Sequence, residues 1–299
     1  MRGFVLVVCA LAACSTETLP KQEDKVQVVE EPVARFPNRT LRLGRVPHIS
    51  QETTFIETAP LAKYLATQLG RPLEVRVPRD YEATIAQLAA GEIDVAILAP
   101  LSYVVAKKRI PELVLVAQIV AEGGGQYLAY IVTATDGPVN ALADLRGKRF
   151  AYVDQHSTTG YLLPLDLLMS AGIDPLRDFK STAFAGSHPD VVELVLKHKV
   201  DAGAIASTTF GQMPKAKLRD RLRILAKSAP VPFDAVVARA ALPAEYVEKL
   251  RATLLDLSTR TDEGRAVLSG VTLNNGFVEV NDAAYDGVRR VAEKFDALQ

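Results

Sequence analysis

The sequence predicts an α/β protein of two lobes, joined by a hinge of two chain crossings with a ligand cleft between them. Three observations lead there. From Thr40 onward, short apolar runs alternate with helical stretches, the pattern of strands joined by helices into a mostly parallel sheet. One helix–strand unit occurs twice: Tyr81 opens a helix and Asp94 follows thirteen residues later in IDVAIL, while His188 opens another and Asp201 follows thirteen residues later in VDAGAI. The C-terminal helical stretches (Pro243–Ser258, Glu263–Ser269, Asp282–Leu298) also need a lobe to pack on, so the chain has to cross back.

The elements follow in order. Residues 1–13 carry one arginine and then an apolar run shorter than the roughly 20 residues that span a bilayer, the shape of a secretory signal peptide. Leu11-Ala12-Ala13-Cys14 matches a bacterial lipobox, so Cys14 is the expected lipidation site and first mature residue. Cys9 leaves with the signal, which removes any thiol pair from an exported protein. Residues 14–39 are polar, charged and proline-punctuated, a flexible tether to the membrane surface. Next come the strand LRLGRV (41–46), a helix over Pro60–Leu69 stopped by Gly70, and the alternating strand PLEVRVP (72–78). Helix YEATIAQLAAG (81–91) precedes the buried strand IDVAILAP (93–100), and LVLVAQIV (113–120) and YLAYIVTA (127–134) add two strands. TDGP places the first crossing near 133–137, and DLRGKRFAYVD begins the second series. PVPFDAVVAR (230–239) is the second crossing. The first lobe is therefore 40–134 plus 235–299, and the second is 135–234.

Lys+Arg and Asp+Glu both number 35, so nothing favours a polyanion such as nucleic acid. Neither HExxH nor a Cys/His cluster offers a metal site, and no cofactor is expected. The body reads as a monomer held on a membrane through lipid on Cys14.

The stretch DQHSTTGYLLP (154–164) groups hydroxyls with a histidine, as either a nucleophile with its base or a nest of donors around an anion. Pro164 belongs in a helix's first turn, which puts the helix start near Thr159–Tyr161. Free N–H groups and a positive dipole end at such a start bind anions. Ser157, Thr158 and Thr159 add hydroxyl donors, Gly160 admits a close approach, and Tyr161 completes the turn. His188, in the cap-like Ser187-His188-Pro189-Asp190, is a second donor whose near-neutral pKa lets ligand charge set its protonation. Tyr81, behind Asp80, and Ser102-Tyr103, after Pro100, are the candidates of the opposite lobe, each tyrosine offering an apolar wall and one O–H. Whether His156 and His48 face the cleft stays open.

The stretches DYEATIAQLAAGEIDVAILAPLSYVVA, ADLRGKRFAYVD, STTGYLLP, AGSHPDVVELVLKHKVDAGAI and VPFDAVVAR together resemble the periplasmic phosphonate/phosphite/phosphate-binding proteins of ABC transporters, the PhnD-like group of type II solute-binding proteins. The resemblance runs from about residue 40 to 290. It implies a type II two-lobe fold closing on a small phosphorus-containing anion, with an ABC permease and its ATPase as partners. It also implies that Asp234 receives a positively charged ligand part or a ligand proton. Two other readings compete. One is a sensing lipoprotein that presents its closed form to a membrane receptor. The other is a hydrolase using Ser157, His188 and Asp201, which lacks a G-x-S-x-G elbow.

Overall fold

The structure, a computed structural model, describes residues 40–121, 124–214, 218–268 and 275–297. The signal peptide, Cys14 and the tether lie outside the described residues. The chain opens with β1 (Leu41–Arg45), α1 (Gln51–Leu69), β2 (Leu73–Arg76), α2 (Tyr81–Ala89), β3 (Val95–Leu98), α3 (Pro100–Arg109) and β4 (Val114–Val120). It crosses through β5 (Gln126–Tyr127) into β6 (Ala129–Ala134), β7 (Arg149–Tyr152), a π turn (Thr158–Leu162) running into α4 (Leu163–Ser170), and α5 (Pro175–Asp178). β8 (Ser181–Phe184), α6 (His188–Leu196), β9 (Ala202–Ala206), α7 (Ser207–Gln212) and β10 (Leu222–Lys227) complete the second lobe. The return runs through β11 (Val231–Pro232) to β12 (Ala235–Ala238), α8 (Ala244–Asp256), α9 (Asp262–Leu268), β13 (Gly276–Val278) and α10 (Asp286–Lys294).

The two sheets have one plan. In the first the order is β13-β4-β12-β3-β1-β2, and in the second β10-β6-β9-β7-β8. Each contains three parallel strands (β2-β1-β3 and β8-β7-β9). Each then adds, antiparallel, the strand that has just arrived from the other lobe (β12 or β6). The sheets are therefore mixed rather than mostly parallel. The repeated unit also recurs in detail. Asp94 Oδ2 accepts from the Arg42 N–H at 2.9 Å and its Nε at 3.2 Å, while Asp201 Oδ2 accepts from the Arg149 N–H at 2.8 Å and its Nε at 3.1 Å. Each aspartate thus ties a central strand to its neighbour at the end remote from the cleft, and each is paired, as a buried carboxylate has to be.

Two further sequence expectations are corrected, and two strands were not read at all. The first crossing is β5, which pairs antiparallel with β11 (Val231↔Tyr127, Pro232↔Gln126), so residues 129–134 belong to the second lobe. An apolar run reads the same in either sheet, and the TDGP turn is internal to the second lobe, where the Gly137 N–H meets the Ala134 carbonyl at 3.0 Å. Helix α1 begins at Gln51 rather than Pro60, because Ser50 caps it by accepting the Thr53 N–H at 3.1 Å. Pro60 sits inside that helix, where the N–H it lacks would have met Ile56, a residue on the exposed face. Finally, β8 and β10 carry exposed or charged residues that mask them as strands, all four residues of β8 being exposed.

Candidate functional site

A cavity of about 120 Å³ lies between the lobes. One water needs about 10–15 Å³ of such space, so the cavity is large enough for a small tetrahedral anion. The first lobe contributes Arg45, His48, Tyr81 and Asp234, the second contributes Ser157, Thr159, His188 and Thr209, and Tyr127 enters from the hinge strand β5. The local folding explains the placement. Tyr81 and His188 are the first residues of α2 and α6, at the ends of those helices that face the cleft. Asp80 and Ser187 cap these helices, accepting the N–H of Ala83 at 2.7 Å and of Asp190 at 3.2 Å.

Arg45 is the residue that sequence reading missed. It is 3% exposed, its Nη1 donates to Thr58 Oγ1 at 3.3 Å, and its Nε has no partner among the described residues. The signal was present: Leu41, Leu43 and Arg45 share one face of β1, and an arginine in line with two buried leucines needs a reason. Burial presses the guanidinium downward, opposed by Asp234 and Glu57. Burial also pushes the Asp234 carboxyl up, opposed by Arg45, and no described residue donates a hydrogen bond to it. The cavity therefore holds one cation and one carboxylate that is easily protonated.

The remaining groups are neutral donors. His188 Nδ1 accepts the Ala206 N–H at 3.1 Å, so the ring proton sits on Nε2, and burial lowers the pKa to about 4. That corrects the expectation of a near-neutral pKa, because the lone pair a second proton would need is already occupied. His48 lies well below the usual imidazole value through burial, with Arg45 and His188 adding to the effect. Burial keeps Tyr81 and Tyr127 protonated.

The 157–161 stretch divides its labour. Ser157 and Thr159 line the cavity, and Ser157 Oγ also caps the π turn by accepting the Gly160 N–H at 3.0 Å. Single π turns recur at functional sites. Thr158 does something else: its Oγ1 accepts the Leu101 N–H of the opposite lobe at 2.8 Å. Gly160 faces inward, where an added Cβ would lie 2.5 Å from Val153 Cβ, so its small size serves packing rather than ligand access. The Tyr161 ring packs at 5.2 Å from Tyr152 and 5.7 Å from Phe184, outside the cavity.

Nor do Ser102 and Tyr103 line the cavity. Ser102 Oγ donates to the His156 carbonyl at 3.1 Å, across the lobe boundary. The Tyr103 hydroxyl donates to Asp282 Oδ1 at 2.6 Å, with its ring 4.6 Å from Tyr285, because α3 turns that face toward the C-terminal segment. His156 sits on the lobe seam, its Nε2 3.3 Å from Glu82 Oε2, whereas His48 lines the cavity. Asp201 is held by Arg149 at the far end of β9, so Ser157, His188 and Asp201 do not assemble as a triad. With Leu101 clasping Thr158, Ser102 clasping His156 and the His188 N–H 3.5 Å from the His48 carbonyl, the lobes are closed on the cavity.

Comparison with known proteins fits this geometry. The family described as "ABC transporter, phosphonate, periplasmic substrate-binding protein" matches residues 43–285. The phosphate-import protein PhnD of Mycolicibacterium smegmatis is 28% identical over 277 residues, covering 86% of each chain. The phosphonates-binding periplasmic protein of Escherichia coli is 25% identical, covering 77% of this chain and 69% of its own. In fold, the chain resembles PhnD1 of Prochlorococcus marinus, solved in complex with methylphosphonate (TM-score 0.79, 20% identity, 86% of this chain and 98% of that one).

Proposed function

Given that the chain belongs to the periplasmic substrate-binding proteins of phosphonate ABC transporters, we propose that it captures a small phosphorus oxyanion and delivers it to an ABC permease and its ATPase. The observation that carries this reading is Arg45, a guanidinium 3% exposed and facing neutral donors across a closed cavity. The Asp234 and Glu57 carboxylates offset that charge only in part, and its Nε is left without a partner among the described residues, which is costly for a buried guanidinium. In the bound state Arg45, Ser157, Thr159 and His188 Nε2 donate to the phosphoryl oxygens. Asp234 takes the one proton that a hydrogen phosphate, phosphite or phosphonate monoanion carries, or an amino group on the organic side. A sulfate brings no such proton and meets a bare carboxylate.

The ligand contacts both lobes only in the closed form, so binding shifts the population toward it. At the N-terminus we propose export by the signal peptide and lipidation of Cys14, supported by the run LAAC and the polar tether that follows. Palmitate labelling that is lost in Cys14→Ser tests the anchor.

Calorimetric titration with phosphate, phosphite, methylphosphonate, an aminoalkylphosphonate and sulfate tests the function. At least one phosphorus oxyanion binds and sulfate does not, and Arg45→Gln weakens binding by roughly 10- to 150-fold, the range of a hydrogen bond to a charged group. Silence toward every phosphorus oxyanion, or equal binding of sulfate, refutes it.

A further inference from the structure

Beside the oxyanion cavity the second lobe carries another hollow, of about 530 Å³ and open to solvent. Pro189, Thr209 and Gln212 line both spaces, so those three residues form the partition between them. Val192, Leu196, Met213 and Leu218 make an apolar floor, the first three between 5% and 9% exposed. The charges at its edge are already occupied: Lys197 pairs with Glu193, and Arg221 reaches the Leu196 carbonyl at 3.4 Å. What the hollow offers an incoming group is apolar surface.

The partition is held mainly from one end. Thr209 and Gln212 belong to α7, a six-residue helix with no buried residue and no side-chain cap at its N-terminus. Its N-terminal end is pinned, since the Ser207 N–H donates to the Leu128 carbonyl at 2.8 Å and Ser207 Oγ accepts the Leu128 N–H at 3.0 Å. Phe210 rests edge-on against Tyr130, centroids 5.7 Å apart. The far end, at Gln212, is exposed. A helix pivoting at Ser207 and carrying Gln212 outward joins the two spaces.

We propose that this hollow is a subsite for the organic substituent of the ligand. The chain then takes alkyl- and arylphosphonates, or phosphate monoesters, whose apolar part has four or more carbons. This rests on the oxyanion reading above: the phosphoryl head occupies the cavity at Arg45, and the substituent passes Thr209 and Gln212 to lie on Met213 and Leu196. The head cavity is the smaller of the two spaces, about 120 Å³ against about 530 Å³.

A ladder of methyl-, ethyl-, butyl-, hexyl- and phenylphosphonate, titrated by calorimetry into the full mature chain, tests it. Beyond ethyl, affinity rises by about fourfold per methylene until the hollow is full, the gain expected for burying each CH₂. Met213→Asp removes that rise and leaves methylphosphonate binding intact, which also shows that the variant folds. A steady fall in affinity beyond ethyl, with methylphosphonate bound normally, overturns the subsite and leaves the oxyanion reading standing. Failure of every rung, methylphosphonate included, overturns the subsite, and silence toward phosphate and phosphite as well overturns both.

Discussion

Thr158 gives the sharpest test of how the lobes close. Helix α3 starts after Ala99, which has no side chain able to cap it. The missing acceptor comes from the other lobe, as Thr158 Oγ1 takes the Leu101 N–H at 2.8 Å. Both groups are fully buried in the closed form and return to water when the lobes part. Thr158→Val keeps the shape, deletes the acceptor and leaves a buried N–H orphaned only in the closed state. An orphaned group of this kind costs about 1–3 kcal/mol, which lowers the closing equilibrium by roughly fivefold to 150-fold. Ligand affinity falls by the same factor because binding is coupled to closure. Calorimetry with phosphate or methylphosphonate reads the loss. Thr158→Ser, which keeps the oxygen, stays within about threefold of the parent. If the valine variant binds within about twofold of the parent, the clasp does not contribute to closure.

Three further outcomes follow from the electrostatics and packing. The Asp234 carboxyl has a raised pKa in the folded state, so the folded form holds its proton more tightly, and this residue's contribution to stability falls as pH climbs from the unfolded carboxylate value through the folded one. Thermal unfolding of the unliganded protein therefore shows Asp234→Asn level with the parent near pH 4 and more stable at pH 7; a constant difference across that range contradicts the assignment. His188 has the opposite sign: its pKa, lowered to about 4, favours the neutral ring, so its contribution is full above the ordinary imidazole value and is lost as pH falls from about 6.5 toward 4. Nitrogen-15 spectra then show an Nε2-protonated neutral tautomer at pH 5.5, and an imidazolium there would refute the Ala206 hydrogen bond. Gly160→Ala forces a Cβ against Val153 and costs about 1–3 kcal/mol of stability. Adding Val153→Ala recovers part of that loss in a denaturant titration, and no recovery would place the strain elsewhere.

The sequence made the two-lobe plan legible because it is written in periodicity: VAIL and AGAIA are buried at every position, and Gly70 stops α1 with φ 66°. The paired spacing Tyr81–Asp94 and His188–Asp201 marked equivalent corners, with one member of each pair at the cavity and the other at the far end. What sequence could not assign was direction. Ser157, Thr158 and Thr159 are three hydroxyls in a row, yet a π turn sends the middle one across the lobe boundary and the other two into the cavity. Tyr103 and Tyr81 each begin near a strand end, and only the packing of the C-terminal segment reveals that Tyr103 belongs to Asp282. Arg45 was hidden because a lone arginine in a strand usually faces water.

The pairing of β5 with β11 has one more consequence. The Tyr127 and Phe233 rings stack at 4.7 Å and 14° beside that ribbon, and both residues, together with Asp234, line the cavity. The axle of this clamp is therefore also one wall of its jaws.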